Sequence, residues 1–130
     1  MAKSIQISEA EWDVMRTVWD DGPLTAARVI ASLSETHDWN HRTIRTLLAR
    51  LVEKGALAYD VDGTRYIYRS AVARRQCVRH ESHSFLSKVF GGDVPSLLAH
   101  FVEDSALSED ELRQLRELLE AKQPGKRKKQ

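Results

Sequence analysis

The sequence is poor in the features that mark secreted, membrane-spanning or catalytic chains. It holds one cysteine, Cys77, in 130 residues, so an intrachain disulfide framework is excluded and any covalent bridge would join two chains. No apolar run approaches the roughly 20 residues needed to span a bilayer. The opening MAKSIQIS lacks the apolar stretch of a secretory signal, and a cytoplasmic location without membrane contact is expected. There is no glycine-rich phosphate loop, and the five histidines fall into no motif with serine, cysteine or carboxylate partners. An enzyme is the reading the sequence supports least, and no cofactor is expected.

A surplus of one charge is missing too. Twenty Lys and Arg against 19 Asp and Glu leave a net +1, which argues against binding nucleic acid through bulk electrostatics alone. Any basic surface must be local. Two clusters qualify: Arg42, Arg45, Arg50 and Lys54, and the tail Lys126, Arg127, Lys128 and Lys129. The tail has no apolar residue after Pro124 and reads as a disordered, solubilising end spanning 122–130.

What is present is helical periodicity. Ser8-Glu9-Ala10-Glu11 is a capping box that starts a first helix, in which Trp12, Met15, Val18 and Trp19 make one apolar stripe before Gly22-Pro23 stops it. Leu24 is then extended, and Thr25 caps a second helix with Ala26, Val29, Ile30 and Leu33 on one face. A third helix runs from His41 to Lys54, with Asn40 as N-cap and Gly55 as C-terminal cap; Ile44, Leu47, Leu48, Leu51 and Val52 form its buried stripe. That stripe leaves Arg42, Thr46, Ala49 and Arg50 outward, with Thr43 and Arg45 on the flanks. Two β-prone runs follow, Leu57–Val61 and Thr64–Arg69, joined by Asp62-Gly63, the residue pair of a type I′ hairpin.

Three helices and a hairpin spell a winged helix-turn-helix. The fold expected is mainly α with a small β-hairpin: a DNA-binding domain over 1–70, then a helical dimerisation domain over 71–121. Within 71–121, a first helix carries Val78, Phe85, Leu86, Val89 and Phe90 up to Gly91-Gly92. A short helix capped by Asp93 carries Leu97, Leu98, Phe101 and Val102, and a last one opened by the box Ser108–Glu111 carries Leu112, Leu115, Leu118 and Leu119. These faces are too large for the hairpin's small core, and a second copy of the chain is the simplest partner for them.

The chemistry lies on the third helix. An α-helix fits the major groove, and reading bases there needs donors and acceptors near its N-terminal half. Arg42, Thr43, Arg45 and Thr46 meet that need. Arg50 and Lys54 suit phosphates, and Arg65 at the hairpin tip can reach a phosphate or the minor groove. The expected partner is double-stranded operator DNA.

The succession ISEAEWDVMRTVW, TIRTLLARLVEKGAL, YDVDGTRYIYRS, SFLSKVFGG and LSEDELRQLRELLE resembles the penicillinase-repressor (BlaI/MecI/CopY) family of winged-helix regulators, up to about Lys122. The resemblance implies a homodimeric repressor on a two-fold symmetric operator. In the antibiotic-responsive branch it implies release by a regulatory protease, at a bond matching His100–Phe101 here; this chain carries His100 where the family commonly has asparagine. The copper branch ends in cysteine pairs, which this tail lacks. Two alternatives stand beside the repressor: a metal- or thiol-responsive regulator using Cys77, His80 and His83 along one helix, and a winged-helix module that binds protein instead of DNA.

Overall fold

The computed structural model describes residues 5–122, so the basic tail expected from residue 122 onward lies, beyond Lys122, outside the described residues. Helix α1 (Glu9–Asp21) begins at the capping box: Ser8 Oγ accepts from Glu11 N at 3.2 Å, and Ser8 N donates to Glu11 Oε1 at 2.9 Å. A short strand β1 (Leu24–Thr25) precedes α2 (Ala26–Ser34), which Thr25 caps by accepting from Arg28 N. The loop after it leads to α3 (His41–Lys54), and the hairpin β2 (Leu57–Asp62) and β3 (Arg65–Ser70) completes the unit.

The hairpin belongs to a three-stranded antiparallel sheet of order β1-β3-β2. Leu24 pairs with Tyr68 and Thr25 with Ile67, so the two-residue strand pins the start of α2 to the wing. The core holds Val14, Met15 and Val18 from α1, Val29, Ile30 and Leu33 from α2, Ile44, Leu47, Leu48 and Leu51 from α3, and Leu57 from the hairpin. Spacing of three and four residues on each helix puts these side chains on one face and leaves the polar residues in solvent. Trp12 and Trp19, placed by periodicity on the buried stripe, sit half-buried at its edge in edge-to-face contact at 5.6 Å.

The hairpin turn differs from the expected type I′. Asp62 is still in the ladder, paired with Arg65, so the two-residue loop is Gly63-Thr64. Gly63 alone has positive φ, 66°, the pattern of a type II′ turn with glycine at the first central position. An ion pair between Asp62 and Arg65, 3.3 Å, accompanies the extra ladder pair.

Helices α4 (Arg74–Phe90), α5 (Val94–Asp104) and α6 (Glu109–Ala121) follow. The described residues divide into two compact units between Ser82 and His83, later than the boundary expected after residue 70. Contacts explain why the start of α4 goes with the winged unit. Trp19 Nε1 donates to Ser70 Oγ at 2.9 Å and to Val72 O at 3.3 Å, Arg74 pairs with Asp20 at 2.8 Å, and Cys77 packs against the core.

The second unit has a different character. None of the described residues of α4, α5 or α6 is buried. Phe85 and Phe90 meet edge to face at 6.0 Å. Leu98, Val102, Leu112, Leu115, Leu118 and Leu119 line an open apolar groove between α5 and α6. No helix among the described residues is long and apolar enough to cross a membrane.

Candidate nucleic-acid interface

The basic face of α3 is built by its caps and its core stripe. Asn40 Oδ1 accepts from Thr43 N at 2.8 Å, and the chain leaves the helix through Gly55 at φ 88°, a left-handed conformation that costs glycine little. With Ile44, Leu47, Leu48 and Leu51 fixed in the core, Arg42, Thr43, Arg45, Thr46 and Arg50 are all exposed. Among the described residues, Arg42, Arg45 and Arg50 take part in no ion pair (Arg16, Arg65, Arg69, Arg74 and Arg113 do). Free guanidinium groups can meet a phosphate or a guanine edge without first giving up an intramolecular partner.

Thr46 has a narrower role than its type suggests. Its hydroxyl donates to Arg42 O at 2.9 Å, so the proton is held by the helix. The oxygen remains an acceptor and the methyl remains available, which suits a base amino group or a thymine methyl better than a phosphate.

Lys54 departs from expectation. Its Nζ lies 2.7 Å from Gln6 O and 2.5 Å from Oε1 of Glu11, whose side chain is 2% exposed. A lysine holding a buried carboxylate serves the fold, and a phosphate would have to compete with Glu11 for it. Burial pushes the Glu11 carboxyl up, but hydrogen bonds from Lys54 and Ser8 together with the lysine charge outweigh it, leaving the group below the ordinary glutamate range. The capping box alone did not reveal this second use of Glu11.

Between α3 and the wing lies an open groove lined by Thr25, Ala26, Ala27, Arg45, Thr64, Arg65, Tyr66 and Tyr68. The tyrosines were not singled out from sequence, although alternation along β3 could have found them. Val61 pairs with Tyr66 and Tyr59 with Tyr68, so these four side chains share one sheet face. Tyr59 and Tyr66 stack at 4.3 Å with 8° between their planes. Burial raises the Tyr68 phenol against the pull of Arg45, with Tyr59 and Tyr66 adding to the rise. It therefore stays a neutral O–H donor. Arg65 is tethered to Asp62 and Arg69 to Asp60, at 3.3 and 3.1 Å, so each must exchange a carboxylate for any phosphate it meets.

The remaining candidate residues fall elsewhere. Among the described residues no group of three His, Cys, Asp or Glu could hold a metal ion, so Cys77, His80 and His83 do not form the expected alternative site. Cys77 is half-buried, and burial raises its thiol, which opposes thiolate ligation. His80 has one weak partner, Gln6 Oε1 at 3.5 Å, and His83 is exposed. His100 and Phe101 lie within α5, both exposed, with His100 Nδ1 3.3 Å from Asp104 Oδ2. Of the expected dimer residues, Phe85, Val89, Leu98, Phe101, Leu112 and Leu119 are exposed, while Leu86, Phe90, Leu97 and Leu115 are half-buried.

Comparison with known proteins adds an independent line. The family described as Penicillinase repressor matches residues 7–121. The chain is 36% identical over 120 residues to the penicillinase repressor of Bacillus licheniformis, covering 92% of this chain and 94% of that one. It is 37% identical to the methicillin resistance regulatory protein MecI of Staphylococcus aureus (strain N315), covering 92% and 98%. Among solved structures, the DNA-binding domain of the repressor BlaI aligns with TM-score 0.52 and 38% identity over 57% of this chain and 90% of that domain. The monomeric form of Bacillus licheniformis BlaI in complex with the blaP half-operator aligns with TM-score 0.51 at the same identity and coverage. With a family match over 7–121 and relatives above 30% identity along nearly their whole length, this chain belongs to the penicillinase repressor family.

Proposed function

We propose that the chain is a transcriptional repressor that lays α3 in the DNA major groove and acts as a homodimer on a two-fold symmetric operator. The observation that carries the reading is the unpaired, exposed set Arg42, Arg45 and Arg50 with Thr43 and Thr46 on α3, whose opposite face is fixed in the core. The relative solved on the blaP half-operator shares this unit, which supports DNA as the ligand. Arg42, Thr43, Arg45 and Thr46 read bases; Arg50 and Arg65 hold phosphates.

Dimerisation is assigned to α4 through α6, because their apolar side chains are exposed or at most half-buried within one chain. One copy of so small a contact face binds weakly, and two copies a helical turn apart bind together. Release by cleavage of the His100–Phe101 bond would require α5 to unwind locally, since the bond sits in mid-helix.

A mobility-shift titration on a duplex from the gene's own upstream region tests the proposal. Binding that falls steeply with salt and is lost in the combined Arg42→Ala, Arg45→Ala, Thr46→Ala variant is the expected result. Specific binding untouched by the triple substitution, or no DNA binding at all, would reject it.

A further inference from the structure

The turn between α2 and α3 carries a cluster of side chains that the DNA-reading face leaves unexplained. His37 uses both ring nitrogens: Nε2 lies 3.1 Å from Asp13 Oδ2 on α1, and Nδ1 lies 2.8 Å from Thr36 Oγ1. Its ring packs on Trp39 at 4.0 Å, and Trp39 in turn packs against the core. Its backbone N donates to Leu33 O at 2.9 Å, closing the end of α2. Three residues later Asn40 caps α3.

We propose that His37 is a positioning residue, which ties the α2–α3 turn to α1 through Asp13 and so fixes where the base-facing end of α3 begins. The inference rests on the DNA-binding reading above. The end of α2 and the cap of α3 are separated by only Glu35 to Trp39, so a shift of His37 passes directly to Asn40 and the first turn of α3. That turn holds Arg42 and Thr43, with Arg45 and Thr46 one turn on. Side chains that read base edges must be placed within a fraction of an ångström, and groups whose own rotamers are locked by neighbours achieve this best.

The chemistry of the brace follows from what each ring nitrogen can donate. In either protonation state Nε2 carries a hydrogen and donates to Asp13. Protonation adds a hydrogen at Nδ1, which turns Thr36 Oγ1 from donor to acceptor and keeps both bonds. It also places a positive charge among acidic groups. Asp13, Asp20 and Asp21 from α1 and Glu35 from the end of α2 line the hollow that His37 faces, where Arg16 already pairs with Asp13 at 2.9 Å and Arg74 with Asp20 at 2.8 Å. The brace is therefore kept whether or not the imidazole carries a charge.

The test uses the full chain and a labelled duplex from the gene's upstream region, with backbone hydrogen exchange of α3 as a second readout. His37→Ala is expected to weaken binding about three- to tenfold and to speed exchange at the start of α3, while its circular dichroism stays that of the parent. His37→Gln, whose amide can still donate to Asp13, should restore affinity to within about twofold. Asp13→Ala, which also frees Arg16, should weaken binding at least as much as His37→Ala, and the double variant should be no worse than Asp13→Ala alone. Unchanged affinity and exchange in His37→Ala, or His37→Gln as weak as alanine, overturns the brace. If the parent itself fails to bind DNA, the proposed function falls, and the exchange data still decide for or against the brace.

Discussion

Lys54 Nζ lies 2.5 Å from Glu11 Oε1, joining the last turn of α3 to the first turn of α1. The same carboxylate accepts from Ser8 N, so one side chain closes a helix cap and anchors the C-terminal end of the DNA-reading helix. Replacing Lys54 by Met leaves the Glu11 charge buried with its cap bond alone. Part of Lys54 is exposed, which discounts the loss to about 1–2 kcal/mol. Urea denaturation at neutral pH measures it.

The pH dependence of that pair has a definite sign. Glu11 titrates lower in the folded chain than in the unfolded one, so the unfolded state binds the proton first. Its contribution is complete above the unfolded carboxyl value and disappears as pH falls through the lower folded value. Thermal melts from neutral to acidic pH should show Glu11→Gln losing less stability on acidification than the parent.

Removing Arg50 should act differently from removing Arg42. A phosphate contact carries no sequence information, so Arg50→Ala is expected to weaken specific and non-specific duplexes alike and to lower the salt slope by about 1. Arg42→Ala should weaken the operator selectively, by about tenfold or more, and relax the preference for one base pair. Titrations on operator and scrambled duplexes at several salt concentrations separate the two.

Gly63 and Gly55 hold positive φ, 66° and 88°, with open space around each. Alanine at either site therefore meets backbone strain and no steric obstacle, and each substitution should cost about 1 kcal/mol. Gly63→Ala should also reduce operator affinity through the wing, whereas Gly55→Ala should show mainly as a lower melting temperature.

Leu98 and Leu119 line the apolar groove of the second unit. Glutamate at both is expected to shift the chain to monomer in sedimentation equilibrium, to leave melting of the winged unit near its parent value, and to reduce binding to the full operator far more than to a half-site.

Periodicity revealed the architecture because each helix of the winged unit buries a single stripe, and caps at Ser8, Asn40, Asp93 and Ser108 stand where helices begin. The exposed set on α3 followed from the same stripe. What sequence concealed were long-range pairings. Glu11 reads as a capping residue alone until Lys54, 43 positions away, is found holding it. His37 and Asp13, 24 positions apart, have no pattern to join them. Strand β1 is two residues long, too short for alternation, and exists because β3 offers it an edge. The hairpin turn moved by one residue because Asp62 stayed in the ladder with Arg65, a choice made between neighbours across the strands.

The absence of buried side chains in the described residues of α4 through α6 bears on how the chain melts. A segment whose apolar side chains are at most half-buried gains little folding free energy of its own. On the proposed dimer, the second unit is expected to melt in a lower step whose midpoint rises as the protein is concentrated, and the winged unit in an upper one independent of concentration. That lower transition would then act as a count of molecules, with the second unit fully ordered only where two copies meet.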